Sequence, residues 1–274
     1  MLALPSRLAA RFVTPAIADA QARVFGRRNM LIAAGLFLVA FFAGLALQLS
    51  FHLNPLGVSD SPHYVYQAQS FLQGRWDLDL PAKTVDIVVL HGKNYIVYPP
   101  FPALVMMPFV AIFGLGASDI LITSLISALN LCLLFFLFEQ VRANGLTKRS
   151  MIENIILSLL FYFGSINLYL SLGGRMWFTA HIMAMGGALL GLLLAFRRHY
   201  TWAALALGCA FFSRSTAALA FPLILFLAWT EGGANQEFAL FLRSLWARRP
   251  DWQRIPWRRV LPPLGVFVVM IALF

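Results

Sequence analysis

Long apolar runs alternate along the chain with shorter polar segments. Several runs reach about 20 residues with few charges, the length that an α-helix needs to cross about 30 Å of hydrocarbon. Because a bilayer offers no water to satisfy backbone groups, we expect these runs to be helices of an all-α polytopic membrane protein. The four clearest predicted spans are Met30–Phe51, Asp119–Phe138, Met151–Leu170 and Trp177–Phe196.

The apolar segment 201–230 fits two structures. One long helix would bury Arg214 at mid-bilayer, where an unpaired guanidinium is costly, and would put residues 231–259 outside. That block carries six arginines against three acids, which favours the cytoplasmic side. Two short helices that meet at residues 213–215 keep it inside and place Arg214 at the outer surface. We therefore favour the hairpin.

Both ends of the chain support a multi-pass topology with a cytoplasmic N-terminus, in the inner or plasma membrane of the cell. Residues 1–29 carry five arginines against Asp19, and the apolar run that follows is too long for a signal peptide. Residues 30–274 form one transmembrane domain of about seven segments, with a cytoplasmic loop at 231–259. Val260–Phe274 begins the seventh segment but barely crosses, so we expect the domain to be incomplete at its C-terminus.

Residues 52–118 form a long external loop between the first two spans. The loop has three basic and four acidic residues, and its net charge of −1 fits an external location. Residues 62–73 predict a short helix with Asp60 or Ser61 as its cap and proline in the first turn.

Two further elements follow in the same loop. Two β-rich runs in Val85–Val97 flank the turn HGKN and predict a hairpin. The apolar run 101–114 is short and contains Pro102 and Pro108, which favours an interfacial or re-entrant helix over a full span.

Composition agrees with a membrane location. The chain of 274 residues is 60% hydrophobic and 12% charged, against about 25% charged residues in soluble domains. The net charge of +10 would suggest a nucleic-acid partner in a soluble protein. Here the charges flank apolar runs, so topology explains them better and we expect no nucleic-acid partner. Cys132 and Cys209 lie in apolar segments, where cysteine behaves as a small hydrophobe.

The predicted topology collects four polar side chains at the outer face: Asp60, Arg175, His181 and Arg214. Two arginines suit an anionic group such as a lipid phosphate, and a carboxylate opposite them could take a proton from an attacking hydroxyl. Each residue also has a structural explanation. Asp60 could cap a helix, Arg175 could anchor at the interface, His181 could bond a neighbouring helix, and Arg214 could be an ordinary loop charge.

Several short motifs follow one another along residues 30–230. They are Asp60, His63-Tyr64, Ala68-Gln69, Gly74-Arg75, Gly92-Lys93 with Tyr95, Tyr98-Pro99-Pro100 and Phe113-Gly114, and the segment GCAFFSRSTAALAFPLIL follows them. In this order they resemble the GT-C glycosyltransferases, and within them the bacterial protein-mannosyltransferase and aminoarabinose-transferase type. The last segment is similar to the family's basic element at a hairpin tip.

This resemblance implies transfer of a sugar, such as a hexosyl or mannosyl group, from a polyprenyl-phosphate donor to a hydroxyl on a lipid, glycan or protein, with inversion at the sugar carbon. Asp60 matches the catalytic base or acceptor-orienting group. The segment around Arg214 matches the site of the donor phosphate, and we expect Arg175 and His181 to assist Arg214 there. The loop residues expected near the site are His63, Tyr64, Lys93, Tyr95, Tyr98, Pro99 and Pro100.

Two departures from the family leave metal dependence open. The family often has a second acid beside its aspartate, where this chain has Ser61, and an acid near the start of the fourth span, where this chain has His181. A divalent metal is therefore one alternative and metal-free transfer the other. The competing functional interpretation is a non-catalytic protein: a carrier or flippase of lipid-linked sugars, or a subunit of a larger transferase.

Overall fold

The computed structural model describes residues 23–80, 85–230 and 255–273. Most of the predicted basic N-terminus and of the predicted loop 231–259 therefore lies outside the described residues. The helices are α1 (Arg27–Ser50), α2 (His63–Leu72), α3 (Phe101–Phe113), α4 (Asp119–Ala143), α5 (Met151–Gly164), α6 (Ile166–Gly173), α7 (Met176–Phe196), α8 (Tyr200–Phe211), α9 (Phe221–Thr230) and α10 (Trp257–Leu273). The strands are β1 (Ile87–Leu90) and β2 (Lys93–Ile96), and 3₁₀ turns cover Gly114–Gly116 and Ser215–Ala220.

Three helices in the described part of the chain, α1, α4 and α7, are long and apolar enough to cross a membrane. This confirms a mostly helical structure, with helices of membrane-spanning length and apolarity at three of the four predicted positions. The third predicted span, drawn as one helix over Met151–Leu170, is wrong in detail. Its two pieces, α5 and α6, are bent by 57° and would count as a fourth span together. Ser165 lies at the break with extended backbone, and its Oγ accepts a hydrogen bond from the Asn167 N–H that opens α6.

Contacts between helix ends define two opposite ends of the bundle. At one, Gln48 in the last turns of α1 donates to Ser124 near the start of α4 and to the carbonyl of Leu172 near the end of α6. At the other, Asn154 in the first turn of α5 donates to Glu139 near the end of α4. We call the first the site end and the second the basic end, since Arg142 and Arg197 lie there.

The segment 201–230 forms two short helices, as the helical-hairpin interpretation predicts. α8 ends at Phe211, and Arg214 precedes the 3₁₀ turn that leads into α9. The carbonyl of Phe212 accepts a hydrogen bond of 3.0 Å from the N–H of Phe101 in the loop that follows α1. Arg214 therefore lies at the site end, on the same side of the bundle as Asp60.

Small residues let α7 and α8 pack closely. A Cβ placed on Gly187 would lie 2.8 Å from the carbonyl oxygen of Ala206, and one on Gly191 would lie 3.1 Å from that of Ala203. Glycine is therefore required here by backbone approach, the mode of helix association that is common in membranes. This contact fixes α8, and with it Arg214, against the helix that carries Arg175 and His181.

The loop between α1 and α4 contains the predicted short helix, as α2, but not the predicted cap. Pro62 occupies the cap position and no side chain bonds the first turn, so Asp60 and Ser61 are not caps. The predicted hairpin is also present, with β1 and β2 antiparallel in the register Leu90↔Lys93. Its two turn residues, His91 and Gly92, have φ of 51° and 74°, as a type I′ turn requires.

Candidate functional site

An ion pair joins the loop after α1 to the start of α7. Arg175 Nη2 donates to Asp60 Oδ2 at 2.8 Å, and both side chains are largely accessible, at 44% and 62%. Next to the pair, the N–H of Met176 donates to the carbonyl of Ser61 at 3.1 Å. Two bonds therefore hold the short segment that carries Asp60 against the first turn of α7.

The backbone on both sides of this ion pair is closely constrained. Gly174 has φ of 61°, and a Cβ there would lie 2.5 Å from the backbone nitrogen of Ile120, so a side chain has no room. Asp119 at the start of α4 accepts bonds from the backbone N–H of Ser59, at 2.8 Å, and from its hydroxyl, at 2.5 Å. Because the neighbours of Asp60 and Arg175 are fixed to α4, the direction of the carboxylate is set by the fold.

Asp60 and Arg175 line a cavity of about 500 Å³. The volume lies in the range of small-ligand sites, which are mostly apolar with a few polar groups that orient the ligand. Residues from the end of α1, from α4, from α6 and from α7 complete the wall. Its apolar lining includes Phe51, Leu53, Ile120, Tyr169, Leu172 and Phe178.

A second arginine is fixed to the next turn of α7. Arg214 Nη2 lies 3.2 Å from the carbonyl oxygen of Trp177 and 3.1 Å from His181 Nδ1, and its guanidinium lies over the ring of Tyr98 at 5.1 Å. His181 Nδ1 is itself 2.7 Å from the same carbonyl oxygen. Since a carbonyl can only accept, that hydrogen bond requires the proton on Nδ1 and leaves Nε2 as the ring's acceptor.

Two hydrogen-bond donors at this arginine are buried without a partner. They are Arg214 Nε and the hydroxyl of Tyr64, which is close enough to feel the charge of the guanidinium. Burial raises the pKa of Tyr64 well above its ordinary value, although the positive charge of Arg214 acts in the opposite direction. Leaving such a donor unsatisfied costs about 1–3 kcal/mol, so a ligand oxygen that reached either donor would be bound favourably.

The predicted site residues thus form two pairs on the first two turns of α7. Asp60 pairs with Arg175, and His181 contacts Arg214. Sequence reasoning missed Trp177, which lies between them: its carbonyl accepts from Arg214, while its indole N–H donates to Asp86 at 2.9 Å. A tryptophan at the start of an apolar helix gives no sequence signal for this role, because interfacial tryptophan is common in membrane proteins.

The contacts described for Lys93 and His63 are with other parts of the loop between α1 and α4. Lys93 Nζ contacts Asp77 Oδ1 at 3.3 Å, and His63 Nε2 lies 2.8 Å from the carbonyl oxygen of Val85. Although partial desolvation acts to raise the pKa of Asp77, its bond to Lys93 and the charge of Arg75 lower it overall.

The remaining loop residues shape the hairpin and the helix after it. Tyr95 pairs with Val88 in the hairpin, and Pro99 and Pro100 lead into α3. Of the predicted loop residues, Tyr98 is the one for which a contact with the Arg214 guanidinium is described.

Within the described ranges, no three His, Cys, Asp or Glu side chains are grouped so that they could hold a metal ion. Metal dependence therefore stays a question for the transfer assay. Comparison of the chain with protein-family models, with curated proteins and with solved structures gave no match.

Proposed function

We propose that this protein is a membrane glycosyltransferase that moves a sugar from a polyprenyl-phosphate donor to an acceptor hydroxyl. One observation carries the proposal. A carboxylate on the wall of an apolar cavity and an arginine with a buried, unpaired Nε are both attached to the first two turns of α7. An anion held by the arginine and a hydroxyl beside the carboxylate would lie at the same end of a helical membrane protein.

The donor phosphate is assigned to Arg214. The Trp177 carbonyl accepts from Nη2 of the guanidinium, and Nε is left for a ligand oxygen. The Tyr64 hydroxyl, which is buried and without a partner, supplies a second donor for the phosphate, and this donor is neutral. Arginine is well suited to phosphate because its charge is permanent and its donors are directed.

The proposed reaction uses both positions. The oxygen of an acceptor hydroxyl attacks the anomeric carbon of the sugar and forms the new glycosidic bond, while its proton passes to the Asp60 carboxylate. The bond between the anomeric carbon and the phosphate oxygen breaks, and polyprenyl phosphate leaves with the electron pair. Arg214 stabilises the negative charge that the departing phosphate gains. Arg175 directs the carboxylate through the 2.8 Å ion pair.

The second candidate function uses the same site to bind a lipid-linked sugar without turnover. The protein would then be a carrier or a subunit of a larger enzyme. The ion pair favours it in one respect, because a carboxylate engaged by arginine must share its oxygens with that partner. Asp60 has a side chain 62% exposed, however, and a carboxylate has about four acceptor positions, so it can serve the hydroxyl as well.

A transfer assay distinguishes these two functions. It uses the full chain in nanodiscs and a radiolabelled polyprenyl-phosphate sugar as the donor. The proposal predicts label in a new glycosylated product and release of polyprenyl phosphate, measured with and without EDTA to determine metal dependence. Saturable binding of the donor with no release of phosphate over many hours would favour the carrier. Absence of both binding and release for every donor offered would refute both functions.

A further inference from the structure

At the basic end, a cleft of about 410 Å³ opens between the start of α8 and the start of α10. The described residues that line it include several basic side chains and no carboxylate. Three arginines and a histidine contribute to it, together with Thr201 and Trp202. The basic lining residues are Arg198, His199, Arg258 and Arg259.

Two helices begin at this cleft and add to its positive potential. The first N–H groups of an α-helix have no intrahelical acceptor, and the helix dipole places partial positive charge there. Neither α8 nor α10 has an acidic residue in its first turn, and no side chain caps α8. The basic side chains and both helix starts therefore favour an anion in the same space.

The position of Arg198 is also costly to the fold. Its φ is 66°, the left-handed conformation that glycine adopts freely at the end of a helix. A side chain there is strained, because its Cβ comes close to the following carbonyl oxygen. The chain nevertheless has arginine at this position, with its side chain exposed on the cleft.

The surroundings indicate a membrane interface rather than bulk solvent. Trp202 is 65% exposed and Trp257 is 40% exposed, and tryptophan is enriched where hydrocarbon meets headgroups. Exposed aliphatic side chains, Leu205 and Leu261, lie further along the same two helices. A ligand with a phosphate in the cleft and acyl chains along α8 and α10 fits both features.

From these observations we infer that the cleft between α8 and α10 binds the headgroup of an anionic phospholipid. The inference does not depend on the transfer reaction, because the cleft lies at the end of the bundle opposite to Asp60. Basic pockets between membrane helices are a recognised form of headgroup site, and each nearby arginine adds to the attraction.

The test is the thermal stability of the full chain in a neutral detergent as phosphatidylglycerol is added, with phosphatidylcholine of the same chains as reference. The double variant Arg198→Gln/Arg258→Gln removes two charges from the cleft. The matched control, Arg27→Gln/Arg28→Gln, removes two exposed charges from the start of α1 at the same end. A parallel titration with inorganic phosphate tests whether a free anion suffices.

We expect phosphatidylglycerol to stabilise the native chain and the control alike, and the cleft variant to need at least about tenfold more lipid for the same effect. Equal responses of cleft variant and control would show diffuse attraction and overturn the inference. So would an equal stabilisation by inorganic phosphate, which would make the cleft a soluble-anion site. If the double variant does not survive extraction, Arg258→Gln alone provides the comparison, with a smaller shift of about fivefold expected.

Discussion

Arg175 donates a hydrogen bond of 2.8 Å to Asp60 although 115 positions separate them in the chain. The pair joins the loop that follows the first membrane helix to the first turn of α7. A bond between Met176 and Ser61 runs beside it, so the contact belongs to a fixed junction rather than to two freely moving side chains. In the proposed reaction, this junction decides which way the carboxylate faces.

Breaking the ion pair should reduce activity more than stability. Arg175→Gln removes an accessible pair, and such pairs contribute only about 0–1 kcal/mol to folding. We expect the free energy of unfolding to fall by no more than about 1 kcal/mol. The rate of transfer should fall at least about tenfold, because the carboxylate loses its orientation. Arg75→Gln, which breaks the exposed pair with Asp79, is the control and should leave transfer unchanged. A loss of stability that fully accounts for the loss of transfer would contradict the orienting role.

Removal of the Tyr64 hydroxyl should change stability and donor affinity in opposite directions. Since it is buried without a partner, Tyr64→Phe removes an unsatisfied group and should leave stability unchanged or raise it by up to about 1 kcal/mol. Donor binding should weaken, because the phosphate loses a hydrogen bond. Titration calorimetry with the donor and chemical denaturation in detergent measure the two effects. A variant that loses stability but retains donor affinity would assign the hydroxyl to folding.

The same tyrosine gives a pH dependence. Burial raises its pKa above the ordinary value of about 10. The unfolded chain therefore loses the proton first as pH rises. Stability is independent of this proton below about pH 10 and falls as the pH rises above it. Melting temperatures of the native chain should fall more steeply above pH 10 than those of Tyr64→Phe. Parallel curves for the two proteins would contradict the described burial.

Lysine should not replace Arg214. The guanidinium contacts Trp177 and His181 through Nη2 and keeps Nε for a ligand, whereas an ammonium offers one compact point of charge. We expect Arg214→Lys to lower kcat/KM for the donor about 10–100-fold, which is about 1.4–2.8 kcal/mol of transition-state stabilisation. Arg75→Lys at the exposed pair should behave like the native chain. Full activity of Arg214→Lys would show that positive charge alone is enough.

The glycine before Arg175 should tolerate no side chain. Gly174→Ala places a Cβ 2.5 Å from the backbone of Ile120 in a left-handed conformation, and we expect a loss of roughly 2–5 kcal/mol from strain and overpacking. Gly164→Ala is the matched control, because its Cβ would meet nothing within 4 Å. Thermal unfolding in detergent compares them. Similar melting temperatures for both variants would mean that α4 and α6 can separate at little cost.

Sequence patterns predicted most of the helices because apolar runs and charge blocks are local properties. The charges of residues 231–259 required the chain to cross the membrane twice between residues 201 and 230, and this placed Arg214 at the same end as Asp60. What local patterns could not provide is pairing across the chain. The bond of Asp60 to Arg175, rather than to the backbone of α2, depends on how α1, α4 and α7 pack. The bend at Ser165 was missed for the same reason, since the run on either side of it is uniformly apolar.

Two parts of the candidate site had no readable signal. Trp177 acts through its backbone carbonyl, which every residue has, and the unpaired state of the Tyr64 hydroxyl is a property of its surroundings. The close approach of Gly174 to the backbone of Ile120 is likewise visible only in the structure. These features arise from contacts between segments far apart in sequence.

The central claim is that Asp60 takes the proton of the acceptor. The most direct measurement is the rate of label transfer from a polyprenyl-phosphate sugar by the native chain, by Asp60→Asn and by Asp79→Asn, each in nanodiscs. Asparagine keeps the shape of the side chain and removes the base, and Asp79 is an exposed carboxylate outside the cavity. We predict that Asp60→Asn lowers the rate about 10²–10⁴-fold with donor binding retained, and that Asp79→Asn transfers at the native rate. Transfer by Asp60→Asn at the native rate would contradict the claim.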